Sequence, residues 1–181
     1  MKRILLLLPL LASCGKEWMI VTETPADPPG TDEARVIVYR ESFRNATKPY
    51  AFLDDEEILA FSLPGTWFEI RCTPGEHFFV LHGVSADAVR ATLEAGRTYF
   101  LRVDSVPELL HLRLLLTPIV PGMKEFGEID RTLNGLERVE PVVGLLAEYA
   151  EVHADDLEEA ISSLKTDQLD RCGILGPDAG R

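Results

Sequence analysis

Cysteine is scarce in this 181-residue sequence, which contains Cys14, Cys72 and Cys172 and no others. Three cysteines give no spacing pattern from which a disulfide framework can be deduced. The sequence also lacks a G-x-S-x-G elbow, a phosphate-binding loop and an H-E-x-x-H motif. We therefore predict a protein that is not an enzyme and that needs no cofactor.

Positive charge is also in deficit, because 18 Lys and Arg residues face 30 Asp and Glu residues, a net charge of -12. Nucleic acid and bare anionic lipid are poor partners for such a surface, since both repel it. Nucleic-acid binding is therefore excluded from the expected functions.

No apolar run reaches the length of about 20 residues that a membrane-spanning helix needs. The longest candidate, Ile4–Leu11, follows the basic residues Lys2 and Arg3 and precedes the small residues Ala12 and Ser13. A basic start, a short apolar run and small residues are typical of a secretory signal. We predict that residues 1–13 are a signal peptide.

The step Leu11-Ala12-Ser13-Cys14 resembles the lipobox of bacterial lipoproteins. The resemblance implies that Cys14 becomes the first residue and carries the lipid, with two or more acyl chains giving a stable membrane anchor. The alternative is an ordinary signal peptide with an incidental cysteine. Gly15 stands where an Asp would resemble an inner-membrane retention signal, which favours the outer membrane and a periplasmic location.

The other two cysteines, Cys72 and Cys172, would lie in an oxidising compartment if the chain is exported. A disulfide between them is compatible with that compartment. Sequence alone does not show whether their Cα atoms come within bridging distance, so the pairing stays open.

The rest of the chain divides by composition and periodicity. Residues 14–33 contain TETPADPPGTDE and are predicted to be a Pro-rich tether that holds the domain away from the membrane. Residues 34–121 alternate with period two, which predicts a mainly β fold, an antiparallel β-sandwich of Ig-like size with about seven or eight strands. Within it, Asp54–Glu57 is predicted to be a solvated hairpin turn rather than a calcium loop.

Residues 122–170 change to helical periodicity and predict two or three amphipathic C-terminal helices. Asp155 followed by Glu158 is typical of a capping box. Four residues of the apolar stripes are candidate contacts for an envelope protein or a second copy of the chain: Leu145, Tyr149, Leu157 and Ile161. The alternative is that these stripes pack on the sandwich and complete its core. Residues 171–181 are predicted to be a flexible tail.

Several segments, ARVIVYR, CTPGEHFFVL and LEAGRTYFLRV, resemble a family of small bacterial lipoproteins, the domain of unknown function number twenty-eight forty-six. The resemblance covers about residues 34–136. It implies a small, mostly β, membrane-anchored protein and supplies no activity.

Three functions are compatible with these observations. The leading hypothesis is a non-enzymatic interaction or structural module anchored in the bacterial envelope. The second is a protein that binds a small ligand or an envelope glycan, with Trp67 and Tyr50 converging on a cleft. The third, a hydrolase, requires that a histidine and carboxylates meet in one cleft. No metal site is expected, because His77 and His82 lie five residues apart on one predicted strand and therefore face opposite sides. The alternative is a zinc site formed by residues that are distant in sequence and converge in the fold.

Overall fold

A computed structural model describes residues 18–24, 28–42, 48–109 and 112–181. The predictions for the signal peptide and for lipidation of Cys14 lie outside these residues. None of the described helices is both long enough and apolar enough to span a lipid bilayer.

The described residues form a mainly β structure with two sheets and eleven strands, which confirms the predicted fold class. The predicted number of strands is too low. Eight strands, β2 to β9, lie within 34–121, and three short ones, β1, β10 and β11, lie in segments predicted to be tether, helix and tail.

The larger sheet has six strands in the order β1-β10-β5-β2-β8-β9. Along the chain these strands are β1 (Met19–Val21), β2 (Ala34–Arg40), β5 (Thr66–Cys72), β8 (Thr98–Pro107), β9 (Leu112–Ile119) and β10 (Glu137–Pro141). The smaller sheet has five strands in the order β11-β7-β6-β3-β4. They are β3 (Tyr50–Asp54), β4 (Glu57–Ser62), β6 (Gly75–His82), β7 (Ala86–Leu93) and β11 (Gly173–Leu175).

Not every strand pair is antiparallel, and the prediction of a purely antiparallel sandwich is wrong in this respect. The pairs β2–β8, β5–β10 and β7–β11 are parallel. Each parallel pair joins strands that are distant in sequence, so the connection runs through other strands and needs no direct crossover.

The inner faces of the two sheets pack against each other, as the period-two pattern predicts. Phe68 on β5 meets Phe52 on β3 with ring centroids 5.7 Å apart, and Phe52 stacks on Phe79 of β6 at 5.5 Å. Because β6 lies between β3 and β7, it is the covered central strand that its apolar sequence predicts.

Helix α1 (Lys124–Asn134) packs on the outer face of the larger sheet and ends beside Gly135. Its Ile129 is fully buried with Ile37, Tyr39, Phe100 and Ile119 in a second, smaller core.

Helices α2 (Val143–Val152) and α3 (Ala154–Thr166) complete the main core at the smaller sheet. Leu157 and Ile161 are 6% and 5% exposed, and Tyr149 packs on Phe61 with ring centroids 4.9 Å apart. Leu145 is half-buried. Leu157 and Ile161 therefore fill the core and do not form an open partner surface. The predicted capping box is wrong, because α3 begins after His153 and has no side-chain cap.

The tether prediction is wrong for residues 19–21. These residues form β1, which pairs antiparallel with β10, and Met19 is buried. Trp18 packs on Phe61 and Tyr149 with ring centroids 4.6 and 5.5 Å apart. The apolar residues just before the Pro-rich stretch do not act as a linker, because they pack against the hydrophobic core.

The prediction of a flexible tail at residues 171–181 is also wrong. Two short 3₁₀ helices, Leu169–Arg171 and Pro177–Ala179, flank β11, and Leu175 and Ala179 are buried. Burial of these apolar side chains offsets the conformational entropy that a terminal segment loses on ordering.

Candidate functional site

Three residues with metal-ligating side chains meet at one end of the space between the sheets: Asp54, Cys72 and His77. Asp54 is the last residue of β3, Cys72 is the last residue of β5, and His77 is the third residue of β6. We call them the Asp54–Cys72–His77 cluster. Two of its residues belong to the smaller sheet and Cys72 belongs to the larger one.

Local sequence explains how these residues come together. Asp54 precedes a two-residue hairpin turn, the turn predicted from the acidic run, in which Asp55 has a φ of 51°. Thr73 and Pro74 carry the chain from one sheet to the other, and Gly75 adopts a φ of 137°, which a residue with a side chain rarely adopts. This turn brings His77 back towards Cys72.

The ring of His77 is held on two sides by hydrogen bonds. Its Nδ1 lies 2.6 Å from Oδ2 of Asp54, and its Nε2 lies 2.8 Å from the carbonyl oxygen of Thr73. The ring also stacks parallel to Phe79, with centroids 5.5 Å apart. The second carboxylate oxygen of Asp54 accepts a hydrogen bond from the backbone N–H of Phe78. Both side chains are therefore fixed in orientation.

Both ring nitrogens of His77 face oxygen atoms. The Thr73 carbonyl can only accept a hydrogen bond, so Nε2 carries a hydrogen and donates it. In the neutral ring Nδ1 would then present a lone pair to the Asp54 carboxylate, which repels it. The separation of 2.6 Å between Nδ1 and Oδ2 suits a shared proton, and a metal ion could take the same place after a small side-chain movement.

Cys72 completes the cluster, with its sulfur within 4.8 Å of donor atoms of Asp54 and His77. Burial, with a smaller contribution from the Asp54 charge, raises the pKa of its thiol to about 12. Activated cysteine nucleophiles have lowered pKa values, so the direction here is the opposite one. The ring nitrogens of His77 are also engaged with Asp54 and Thr73, so neither is available as a base for the thiol. A histidine and a carboxylate do meet, but the arrangement does not favour a cysteine hydrolase.

Sequence reasoning missed this cluster because it compared His77 only with His82. Those two residues do lie on opposite faces of β6, and Nδ1 of His82 is buried without a hydrogen-bond partner in the part of the chain described. The alternation of the strands did carry a signal for this cluster. Period two places Cys72 on the same face of its strand as Phe68, and His77 on the same face as Phe79. Alternation does not show which strands of the two sheets face each other.

The possible disulfide between Cys72 and Cys172, which the sequence left open, is not formed in the structure, where both thiols are free and buried. Cys172 lies just before β11, where its thiol donates to the carbonyl oxygen of Gln168 over 3.5 Å. It takes no part in the Asp54–Cys72–His77 cluster.

A second feature is a polar groove of 780 Å³ between α3, the start of β7 and the β8–β9 hairpin. Charged residues dominate its lining, with four acidic and two basic side chains: Asp87, Glu108, Asp156, Glu159, Arg113 and Arg171. No aromatic residue is among the described residues that line it. We call it the polar groove.

The two aromatic residues expected at a ligand cleft lie elsewhere. Tyr50 is 2% exposed, with the guanidinium of Arg40 stacked 4.1 Å from its ring centroid. Trp67 packs beside α1 on the outer face of the larger sheet, next to Arg138. They do not converge on a common pocket.

Comparison with known proteins gives no match to any family model, to any curated protein or to any solved structure.

Proposed function

We propose that this protein is a lipid-anchored protein of the bacterial envelope that acts as a non-enzymatic interaction or structural module close to the membrane surface. The resemblance of Leu11–Cys14 to a lipobox supports the anchor. The observation that carries the membrane-proximal position is the short distance in sequence between Cys14 and β1, which begins at Met19.

Chain geometry limits how far the folded part can stand from an anchor at Cys14. Five residue steps join Cys14 to Met19, and a fully extended chain advances at most about 3.5 Å per residue. The anchor and the start of β1 are therefore no more than about 18 Å apart. The Pro-rich stretch lies after β1 and does not lengthen this connection.

Exposed apolar side chains lie at the edge of the molecule where the anchor would attach. Ile20 and Val21 on the edge strand β1 are 48% and 63% exposed, and Val143 at the start of α2 is 75% exposed. The backbone N–H of Val142 donates to the carbonyl oxygen of Trp18 over 3.0 Å, which joins these two segments. Apolar side chains next to an acyl anchor favour contact with the lipid surface, because each buried methylene adds to the binding energy.

The interaction module is the function that this arrangement supports best. Helix α1 packs on part of the larger sheet, and α2 and α3 pack on the smaller one, so the described residues form a packed scaffold that an anchor would hold in one orientation.

A second candidate, binding of a small polar ligand, is favoured by the polar groove. Its four carboxylates and two guanidinium groups suit a ligand with cationic and anionic groups better than a glycan, which stacks on aromatic rings. Saturable binding of such a ligand that is lost in Arg113→Ala, while the fold is retained, would establish this candidate.

Two measurements test the anchored module. Cell fractionation of Cys14→Ala should give a soluble or unprocessed protein, whereas the matched variant Cys172→Ala should stay at the membrane. A Cys14→Ala protein that remains processed and membrane-bound would overturn the anchor.

Orientation is tested by energy transfer from a dye on residue 21 or residue 113 to an acceptor in the lipid headgroups. Val21→Cys and Arg113→Cys place the dye on opposite edge strands of the larger sheet, roughly 24 Å apart across five strand spacings. We expect stronger transfer from residue 21. Equal or reversed transfer would contradict the proposed orientation and leave the anchor itself unaffected.

A further inference from the structure

The Asp54–Cys72–His77 cluster combines three side chains that commonly bind metal ions. This observation does not depend on the proposed membrane anchor. We propose that these three residues bind one divalent transition-metal ion of the zinc class, with a water molecule as the fourth ligand. The ligand atoms are a carboxylate oxygen of Asp54, the sulfur of Cys72 and Nδ1 of His77.

The donor set selects the class of metal. Thiolate and imidazole are ligands of zinc and related borderline-soft ions, whereas calcium and magnesium require oxygen ligands throughout. One carboxylate, one thiolate and one imidazole therefore favour zinc over the hard cations.

The distances are compatible with a tetrahedral ion after small side-chain movements. Zinc bonds of about 2.0–2.3 Å place ligand atoms roughly 3.2–3.8 Å apart around a tetrahedron. The three donor atoms lie within 4.8 Å of one another, and the Asp54–His77 contact of 2.6 Å would open to admit the ion. The movement needed at each atom is on the order of 1 Å, which follows from the same bond lengths.

The residues around the cluster already hold the ligands as metal sites do. A metal-bound histidine typically donates its other ring N–H to a carbonyl or carboxylate, and His77 donates Nε2–H to Thr73 over 2.8 Å. Ligating carboxylates are themselves hydrogen-bonded, as Asp54 is to the backbone N–H of Phe78. Nδ1 is consequently the ring nitrogen that is directed at Asp54.

Charge balance favours a divalent ion in this position. With the ion bound, Asp54 and Cys72 would carry two negative charges against the two positive charges of the ion, so the buried cluster stays neutral. The side chains of His77 and Asp54 are 10% and 22% exposed, which leaves access for the ion and for the fourth ligand.

The test uses the full protein purified from cells, with zinc for calorimetry and cobalt for absorption spectroscopy. We expect one zinc ion per chain. With Co²⁺ we expect the thiolate-to-metal charge-transfer band and the visible bands of a tetrahedral ion. Cys72→Ser should abolish the charge-transfer band, and Asp54→Asn and His77→Gln should each weaken zinc binding at least about tenfold.

Matched variants separate this site from unspecific binding. Cys172→Ser, which changes the other buried thiol, and Glu56→Gln, which changes a neighbouring acidic residue, should bind zinc as the unchanged protein does. Zinc binding that survives Cys72→Ser unchanged, or a protein that takes up no zinc at all, would overturn the proposal. If Cys72→Ser does not fold, zinc binding by His77→Gln is compared with zinc binding by Glu56→Gln. Weaker binding by His77→Gln supports the proposal, and equal binding overturns it.

Discussion

The main chains of Thr98 and Arg181 exchange two hydrogen bonds, from Thr98 N–H to the Arg181 carbonyl over 2.8 Å and from Arg181 N–H to the Thr98 carbonyl over 3.1 Å. The start of β8 is therefore joined to the C-terminal segment. Arg97 adds a hydrogen bond from its guanidinium to the carbonyl oxygen of Gly180 over 3.1 Å. Residues 173–181 are thus an integral part of the fold.

Tyr99 supplies the most testable part of this attachment. Its hydroxyl donates to the Pro177 carbonyl over 3.0 Å and accepts from the backbone N–H of Glu94 over 2.9 Å. Tyr99→Phe should lower the free energy of unfolding by about 1–3 kcal/mol, because two part-buried hydrogen bonds are lost. Chemical denaturation measures the change. Tyr149→Phe, whose hydroxyl makes no hydrogen bond within the described residues, is the control and should change stability less.

Leu157 and Ile161 test whether the C-terminal helices belong to the core. Replacing either residue with Ala should destabilise the whole fold by about 2–5 kcal/mol, since each removes a buried aliphatic side chain and leaves a cavity. Val152→Ala on α2, at a side chain that is 70% exposed, should be within about 0.5 kcal/mol of the unchanged protein. Helices that melt separately, with the sheets unaffected in Leu157→Ala, would contradict this assignment.

We expect replacement of glycine by alanine to have opposite effects on stability at Gly83 and at Gly127. A Cβ at Gly83 would lie 2.5 Å from Cδ1 of Tyr50, a ring that Arg40 holds in place, so Gly83→Ala should destabilise the protein by about 1–3 kcal/mol. A Cβ at Gly127 in α1 would meet nothing within 4 Å, so Gly127→Ala should stabilise it by about 0.5–1 kcal/mol. Thermal unfolding of both variants side by side is sufficient, and a shift of both in the same direction would refute the comparison.

His82 makes stability depend on pH. Burial lowers the pKa of its imidazole below the usual 6.5, and the nearby His153 adds to this while Asp156 opposes it. The unfolded chain then binds more protons at this residue than the folded chain does. The contribution of His82 to stability is therefore lost as pH falls below about 6.5, down to the lowered pKa of the folded state.

The measurement is the difference in free energy of unfolding between the unchanged protein and His82→Gln at several pH values. That difference should move in favour of His82→Gln between about pH 7.5 and pH 5.5, since only the histidine becomes charged in the unfolded chain. Curves that remain parallel over this range would show that His82 is not the group responsible.

Period two in the sequence predicted β2 to β9 correctly, because half-buried strands alternate inward and outward residues, as in Thr66–Cys72. Strands β1 and β11 have only three residues each and are too short for alternation to be recognised, and β10 lies within a segment whose periodicity is otherwise helical. These short strands form because each of them pairs with a strand that is distant in sequence. The Asp54–Cys72–His77 cluster was also missed because it depends on contacts between residues that are distant in sequence. No local segment of the sequence shows how the two sheets pack on each other.

The partners of β2 show what the chain must do before it can fold. One edge of Ala34–Arg40 is covered by β5, and the other is covered only by β8, which begins at Thr98. At the chain ends, β1 requires β10, and β11 pairs with β7. A chain emerging in order from the ribosome or from a translocation channel therefore displays open strand edges until nearly all of it has appeared. Such non-local pairing slows folding and exposes the nascent chain to aggregation, so a holding chaperone would have most effect while residues 34–97 await their partners.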